Sequence, residues 1–83
     1  MDVFDWTALY EGAQALVVLL GIDPCSCYVR KSPYCGVEIV LGNHTYITYV
    51  GSFAYINIKP QYIGITEGNW YQQSDGKWFL DLT

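Results

Sequence analysis

Charged residues are scarce in this chain. They make up 14% of its 83 residues, whereas a typical soluble domain has about 25%. Hydrophobic residues account for 52% and aromatic residues for 17% of the sequence, which is enough apolar material for a core and excludes intrinsic disorder. Because so few charges remain to cover the outside, we expect part of the apolar area to stay on the surface.

Basic residues are fewer than acidic residues. Four lysines and arginines stand against eight aspartates and glutamates, which gives a net charge of −4. Nucleic-acid binding normally requires a basic stripe, because phosphate contacts and counterion release supply most of the affinity. Arg30 and Lys31 form the only adjacent basic pair, so the sequence argues against nucleic acid as a partner.

The sequence also lacks a long hydrophobic run and a secretion signal. Its most apolar stretch, Ala15–Ile22, is far shorter than the roughly 20 residues that span a bilayer. The amino terminus is acidic and has neither the basic start nor the small-residue cleavage site of a signal peptide. These absences predict a cytoplasmic protein without a membrane segment, in which the thiols are reduced.

Three cysteines and one histidine are the candidate ligands for a soft metal. Cys25, Cys27, Cys35 and His44 are spaced C-x-C-x7-C-x8-H, whereas structural zinc sites normally pair their cysteines two to four residues apart. The spacing therefore predicts reduced cysteines in a loop, with no metal or other cofactor. Zinc binding, and a disulfide from Cys35 to Cys25 or Cys27, are the open alternatives.

Residues for catalysis are equally sparse. A Cys–His nucleophile would have to use His44, the single histidine, with an orienting acid such as Glu38. His44 is explained more simply as part of a hairpin turn. Gly68 and Gly76 precede strands and not helices, so no phosphate-binding loop is predicted. The sequence indicates that the protein is not an enzyme.

The first part of the chain reads as a helix over residues 3–20. Asp2 is the predicted N-cap, Asp5 lies in the first turn, where a negative charge suits the helix dipole, and Gly21 ends the helix. Apolar residues recur at steps of three and four on a core-facing stripe, which consists of Trp6, Leu9, Ala13, Leu16, Val17 and Leu20. The following loop is expected to cover a second, neighbouring apolar strip made of Phe4, Ala8, Ala15 and Val18.

From residue 37 onward the sequence alternates as antiparallel strands do, with turn residues between the runs. The predicted strands are Val37–Leu41, Thr45–Val50, Phe53–Ile58, Ile63–Thr66, Asn69–Gln73 and Lys77–Leu82. Turns of two residues at Gly51-Ser52, three at Gly42–His44 and four at Lys59–Tyr62 align apolar residues in successive strands. The resulting pairs are Val37–Tyr49, Ile39–Ile47, Ile47–Ile56, Tyr49–Ala54, Thr45–Ile58, Ile58–Ile63 and Ile56–Ile65.

These registers assign the two faces of the sheet. The inner face, which takes the helix, receives Val37, Ile39, Ile47, Ile56, Ile58, Ile63 and Ile65, and the last hairpin adds Trp70, Trp78, Leu80 and Leu82. The outer face is unusually rich in rings for a surface that meets solvent. We call its apolar residues the contact face, which consists of Val40, Tyr46, Phe53, Tyr55, Tyr71 and Phe79.

Together these patterns predict an α+β fold, in which one N-terminal α-helix packs on an antiparallel β-meander of five to six strands. A strong twist would curl such a sheet into a half-barrel. The chain is predicted to be a single domain over residues 1–83, with the helix at 3–20, a cysteine-containing loop at 22–36 and the sheet at 37–82. This order resembles one-helix-on-sheet architectures such as the cystatin-like fold, and the resemblance implies a shape and no function.

The contact face predicts a small, non-catalytic protein-binding module, because tyrosine, phenylalanine and tryptophan are enriched at the centres of interfaces. Small acidic cytoplasmic proteins without catalytic residues are typical of phage and mobile-element products. The most specific hypothesis is therefore an inhibitor of a host defence or nuclease complex, comparable with anti-CRISPR proteins. One alternative is a self-associating structural or accessory subunit that forms a homodimer through the same face, and another is a small hydrolase or ligand carrier. If the sheet closes over its own outer face, the binding surface is expected on the helix around Phe4 and Val18.

Overall fold

The computed structural model describes residues 6–42 and 44–83. The predicted N-cap Asp2, the acidic first turn at Asp5, the apolar Phe4 and the turn residue Asn43 lie outside the described residues. The elements in chain order are α1 (Trp6–Leu19), a 3₁₀ helix (Pro24–Ser26), β1 (Tyr28–Lys31), β2 (Val37–Gly42), β3 (Thr45–Tyr49), β4 (Phe53–Ile56), a second 3₁₀ helix (Pro60–Ile63), β5 (Trp70–Gln72) and β6 (Trp78–Asp81).

The predicted helix is confirmed within the described residues, and it ends at the predicted glycine. Gly21 has a φ of 73°, its N–H donates to the carbonyl of Val18 at 3.1 Å, and the N–H of Ile22 donates to the carbonyl of Val17 at 3.0 Å. This pair of bonds is the Schellman cap, which needs a left-handed residue that glycine supplies without steric cost. Every residue of the predicted core-facing stripe is buried or packs against the core.

The six strands form one open, antiparallel sheet with the order β1-β2-β3-β4-β6-β5. Helix α1 lies against β1 and β2. The structure therefore confirms the α+β fold with an N-terminal helix on a meander, and the sheet is not closed into a barrel. No helix in the described ranges is long and apolar enough to cross a membrane.

Two of the three predicted hairpins have the predicted register. Ile39 lies opposite Ile47 in β2 and β3, and Tyr49 lies opposite Ala54 in β3 and β4. The tight turn between β3 and β4 is closed by the N–H of Val50, which donates to the carbonyl of Phe53 at 3.1 Å. The turn between β3 and β4 has the predicted two residues, whereas a shift between Val40 and Gly42 sets Gly42 opposite Thr45 in place of the predicted three-residue turn. At both sites the register keeps the apolar side chains inside.

The third predicted hairpin is wrong. Residues 63–66 do not form a strand, and β4 pairs with β6 instead, so that Ile56 lies opposite Trp78 and not Ile65. Pro60 begins a 3₁₀ helix, because its fixed φ suits the first helical position and it has no N–H to donate to a ladder. Ile65 is nevertheless buried. The alternation therefore predicted its burial correctly, although the segment around it is irregular and not a strand.

The predicted loop over residues 22–36 contains a strand that the sequence interpretation missed. Tyr28–Lys31 is β1, and it pairs antiparallel with β2 through the register Val29–Ile39. Short, charged strands are normal at the edge of a sheet, where they discourage unwanted pairing. The strand was missed because two prolines and two serines, Pro24, Pro33, Ser26 and Ser32, give residues 23–35 the composition of a loop.

The core lies between α1 and the inner face of the sheet. Ile58, which was predicted to be in the core, follows the end of β4 and is 36% exposed. Ile63 is only partly buried, and it packs against the core together with Trp70, Trp78 and Leu82. The buried members of the core are Ala13, Leu16, Val17, Leu20, Val37, Ile39, Ile47, Ala54, Ile56, Ile65 and Leu80.

Candidate protein-binding face

A single row of side chains crosses all six strands on the face of the sheet that points away from α1. Adjacent members of the row are directly opposite one another in the strand registers. Since side chains alternate between the two faces of a strand, this row and the core row next to it cannot exchange places without a register slip. The row consists of Arg30, Glu38, Thr48, Tyr55, Phe79 and Tyr71.

Four rings of the contact face touch one another at one end of this row. The ring of Phe79 is stacked on that of Phe53 with centroids 4.8 Å apart and planes at 20°, and it meets Tyr71 at 5.4 Å. Phe53 also stacks with Tyr55 at 6.3 Å. These distances are within the range in which aromatic pairs attract each other. We call these four residues the ring cluster: Phe53, Tyr55, Tyr71 and Phe79.

The fifth ring of the contact face, Tyr46, is held by a cation. The guanidinium carbon of Arg30 lies 4.9 Å from the centroid of Tyr46, which is a cation–π distance. The Nε of Arg30 also donates to Oε1 of Glu38 at 2.9 Å. This hydrogen bond, followed by one to Tyr46, raises the pKa of Arg30. The Arg30 side chain therefore links β1 to both β2 and β3 on the outer face.

A second cation lies over the ring cluster. The Nζ of Lys77 is 5.0 Å from the centroid of Tyr55. The one ion pair among the described residues joins Arg30 and Glu38, so Lys77 has no carboxylate partner there. Beside it, a cavity of about 210 Å³ opens on the outer face, with Tyr46, Tyr55 and Lys77 in its wall. The outer face therefore combines an apolar ring surface with an unpaired positive charge.

The members of the contact face differ in how much of each side chain is exposed. Tyr71 is 50% exposed, and Tyr46, Phe53, Tyr55 and Phe79 are half-buried. Val40 contributes almost no surface, because it is only 8% exposed. It lies in β2 between Tyr28 of β1 and Tyr46 of β3, so the missed strand β1 is what turns this predicted surface residue into an interior one.

Arg30 and Lys77 are the residues of this face that the sequence interpretation missed. The position of Arg30 became visible only with β1, since an edge strand on the far side of β2 is needed to bring it over Tyr46. Lys77 follows the turn between β5 and β6, where its backbone N–H donates to Oδ1 of Asp75 at 2.9 Å. The sequence places it next to β6, but the alternation of the strand does not predict its ring contact.

The cysteines form no disulfide in this structure. Cys25, Cys27 and Cys35 are free, and Cys25 and Cys35 are exposed. Partial burial, followed by the charges of Asp23 and Cys25, raises the pKa of Cys27. Within residues 6–42 and 44–83, no three His, Cys, Asp or Glu side chains come together as a metal site.

His44 and Glu38, which were considered for a Cys–His nucleophile, both lie among the described residues. His44 lies in the turn between β2 and β3 and has a φ of 60°, which confirms its predicted place in a hairpin turn. Its left-handed backbone is the feature that this turn requires. Glu38 accepts its hydrogen bond from Arg30. The carboxylate that was considered as an orienting group therefore serves the outer face.

The described residues of the second apolar strip of the helix are exposed, and for them the expectation that the loop shields the strip was wrong. Val18 is 71% exposed, and Ala8 and Ala15 are also exposed. The chain after Gly21 contacts α1 through the first 3₁₀ helix and β1, but these contacts leave Val18 exposed at the border of a cavity. An exposed strip thus borders the edge strand β1.

Comparison with known protein families, with curated proteins and with solved structures gives no match. The geometry of the molecule itself is therefore what bears on its function.

Proposed function

We propose that the protein is a non-catalytic binding module that docks a partner protein on the ring cluster. The observation that carries this proposal is the mutual contact of Phe53, Tyr55, Tyr71 and Phe79 across β4, β6 and β5, on the face of the sheet that α1 leaves open. Apolar residues scattered singly on a surface need no explanation, but a contiguous patch is typical of an interaction site.

The cavity next to the ring cluster supports the same proposal. Binding energy at interfaces is concentrated in a few side chains that fill pockets on the partner. An apolar cavity of about 150 Å³ holds a benzene ring, so the cavity of about 210 Å³ beside Tyr55 has room for one large side chain of a partner. Lys77 at its wall favours a partner with a carboxylate close to that side chain.

Rings combined with cations also occur in proteins that stack the bases of single-stranded nucleic acids. Such proteins track the phosphates with a positively charged groove, whereas this chain has a net charge of −4. Arg30, one of the two cations of the outer face, is already paired with Glu38. A protein partner therefore agrees better with the charges.

A homodimer through the ring cluster is the alternative function, since the same apolar surface would serve a second copy of the chain. The narrower hypothesis of a phage or mobile-element inhibitor of a host defence or nuclease complex stays a prediction. Sedimentation or light scattering of the purified protein at micromolar concentration separates the two binding modes. A monomer supports a foreign partner, and a dimer that the substitutions below dissociate supports self-association.

The test of the proposal is the double substitution Tyr55→Ser and Tyr71→Ser. Partners are captured by chemical crosslinking in the source cells and quantified by mass spectrometry. We expect a partner captured by the unaltered protein to be lost with the double variant and kept with Tyr62→Ser. Tyr62 is a matched control, because it is 77% exposed, lies in the second 3₁₀ helix and is not a member of the ring cluster. Equal capture by all three proteins would contradict the proposal.

A further inference from the structure

Strand β1 is an open edge of the sheet. It pairs with β2 on one side and with no described strand on the other. In an antiparallel edge strand, alternate residues point their N–H and C=O groups away from the sheet. An extended backbone is the ligand that matches such a row of donors and acceptors.

A groove runs along this edge on the side of α1. Its cavity has a volume of about 340 Å³ and lies between the helix and the strand. At its mouth, Val18 is 71% exposed, so apolar surface meets solvent there. The residues that line it, most of them apolar, are Tyr10, Gln14, Val17 and Val18 from α1, and Pro24, Cys27, Tyr28 and Val29 from the chain at β1.

The inner-facing side chains of β1 define two neighbouring subsites. Val29 lies opposite Ile39, and Lys31 lies opposite Val37, so both belong to the face of the sheet that carries α1. Val29 lines the cavity. Lys31 is exposed and takes no part in the Arg30–Glu38 ion pair, the one that the described residues form. The edge therefore offers an apolar pocket and, two residues further along the strand, an unpaired cation.

We propose that β1 and α1 bind an extended segment of another protein, which adds to β1 as a further strand of the sheet. Its backbone pairs with the open edge, one apolar side chain enters the cavity beside Val29, and an acidic side chain two positions away meets Lys31. Strand addition of this kind takes its affinity from main-chain hydrogen bonds and its specificity from pockets for alternate side chains. The site is independent of the ring cluster, which lies on the opposite face of the sheet.

The charge at Lys31 favours a foreign acidic segment over a second copy of this chain. Two β1 strands that pair antiparallel around a two-fold axis keep inner residues opposite inner residues. Centred on Val29, this pairing sets Lys31 opposite Cys27; centred on Arg30, it sets Lys31 opposite Val29 and the two arginines opposite each other, which is repulsive. Neither register gives Lys31 a carboxylate.

The experiment uses ¹⁵N-labelled protein and a capped octapeptide of alternating threonine and valine. A leucine stands near the centre of the peptide. One glutamate lies two positions before the leucine and another two positions after it, so that a glutamate can reach Lys31 in either strand direction. The control peptide has lysine in place of both glutamates. We expect chemical-shift changes and slowed amide exchange at Tyr28–Lys31, and an affinity about three- to tenfold higher for the glutamate peptide. If no peptide alters the β1 amides, the proposal is wrong.

Paired variants separate the groove from general surface effects. Val18→Glu should abolish peptide binding, because it puts a charge at the mouth of the cavity. Its matched control is Leu19→Glu, at a neighbouring helix position that is 63% exposed, and this variant should bind as the unaltered protein does. Lys31→Glu should reverse the preference between the two peptides, whereas Lys59→Glu should not.

Three results would overturn the inference. One is equal binding by the Val18 and Leu19 variants, and another is an unchanged peptide preference in the Lys31 variant. The third is a dimer in light scattering that Val18→Glu dissociates, since the edge would then be occupied by a second copy. The variant with Tyr55→Ser and Tyr71→Ser should retain peptide binding, so failure of the proposed function and failure of this inference give different results.

Discussion

Helix α1 crosses the sheet with Gly12 directly against the ring of Tyr49. A Cβ at residue 12 would lie 3.0 Å from two ring carbons of Tyr49, Cε2 and Cζ, and closer still to its hydroxyl oxygen. In a helix interior, glycine normally lowers stability by about 1 kcal/mol relative to alanine. The close approach of the ring explains why this position lacks a side chain.

Gly12→Ala should therefore destabilise the protein although alanine is the better helix former. We expect the free energy of unfolding to fall by about 1–3 kcal/mol, the usual cost of overpacking, measured by urea denaturation. The same substitution in a Tyr49→Phe background should cost less, because the closest atom, the hydroxyl oxygen, is gone. A gain in stability in both backgrounds would show that the ring moves aside freely.

The side chains of Ile47 and Ile56 are the next test, because the structure buries both almost completely. Truncating either to alanine should lower the free energy of unfolding by about 2–5 kcal/mol, through lost burial and the cavity left behind. Ile58→Ala is the matched control, since Ile58 is 36% exposed and should lose far less. A cost below about 0.5 kcal/mol at Ile47, as for an ordinary surface position, would mean that the core has been assigned to the wrong face.

The faces of the sheet were predictable from sequence because side chains in a strand alternate with a period of two. Two short turns fixed the registers of β2, β3 and β4, and this was enough to put Ile47 inside and Tyr55 outside. The parity of the last hairpin was also predictable, and it placed Tyr71 and Phe79 together on the outer side.

Non-local pairing was not predictable in the same way. Register arguments compare strands that follow one another, whereas β4 takes β6 as its partner and leaves residues 63–66 without strand structure. Alternation alone does not separate a buried strand from a buried irregular segment such as the one around Ile65. Strand β1 was missed for a different reason, because it pairs with the next strand along the chain but is flanked by prolines and serines that read as a loop. With it, the place of Arg30 on the outer face and the burial of Val40 were missed.

The thiols provide a test of chemistry. We expect chelator to leave the melting temperature unchanged, and protein purified without added zinc to hold less than one metal ion per chain.

The thiolate is the reactive form of cysteine, and the pKa of Cys27 is raised by its burial and by Asp23 and Cys25. At mildly alkaline pH, Cys27 should therefore react with iodoacetamide more slowly than the exposed Cys25, as measured by peptide mass spectrometry. Loss of folding with chelator would contradict the first expectation, and equal alkylation rates the second.

The last prediction concerns the stability of the outer face itself. Tyr46 and Tyr55 are half-buried, and each has a cation over its ring, Arg30 for Tyr46 and Lys77 for Tyr55. Replacing either tyrosine by serine removes a strand-favouring ring and one cation–π contact, so we expect a cost of about 1–2 kcal/mol for each. This cost is smaller than the cost expected for Ile47→Ala. The double variant with Tyr46→Ser and Tyr55→Ser should therefore have a near-native circular dichroism spectrum and still unfold cooperatively in urea. Association through the outer face should be lost in that folded variant. If the double variant is unfolded, these two rings belong to the structural core of the sheet, and the remaining candidate for a binding surface is the groove between α1 and β1.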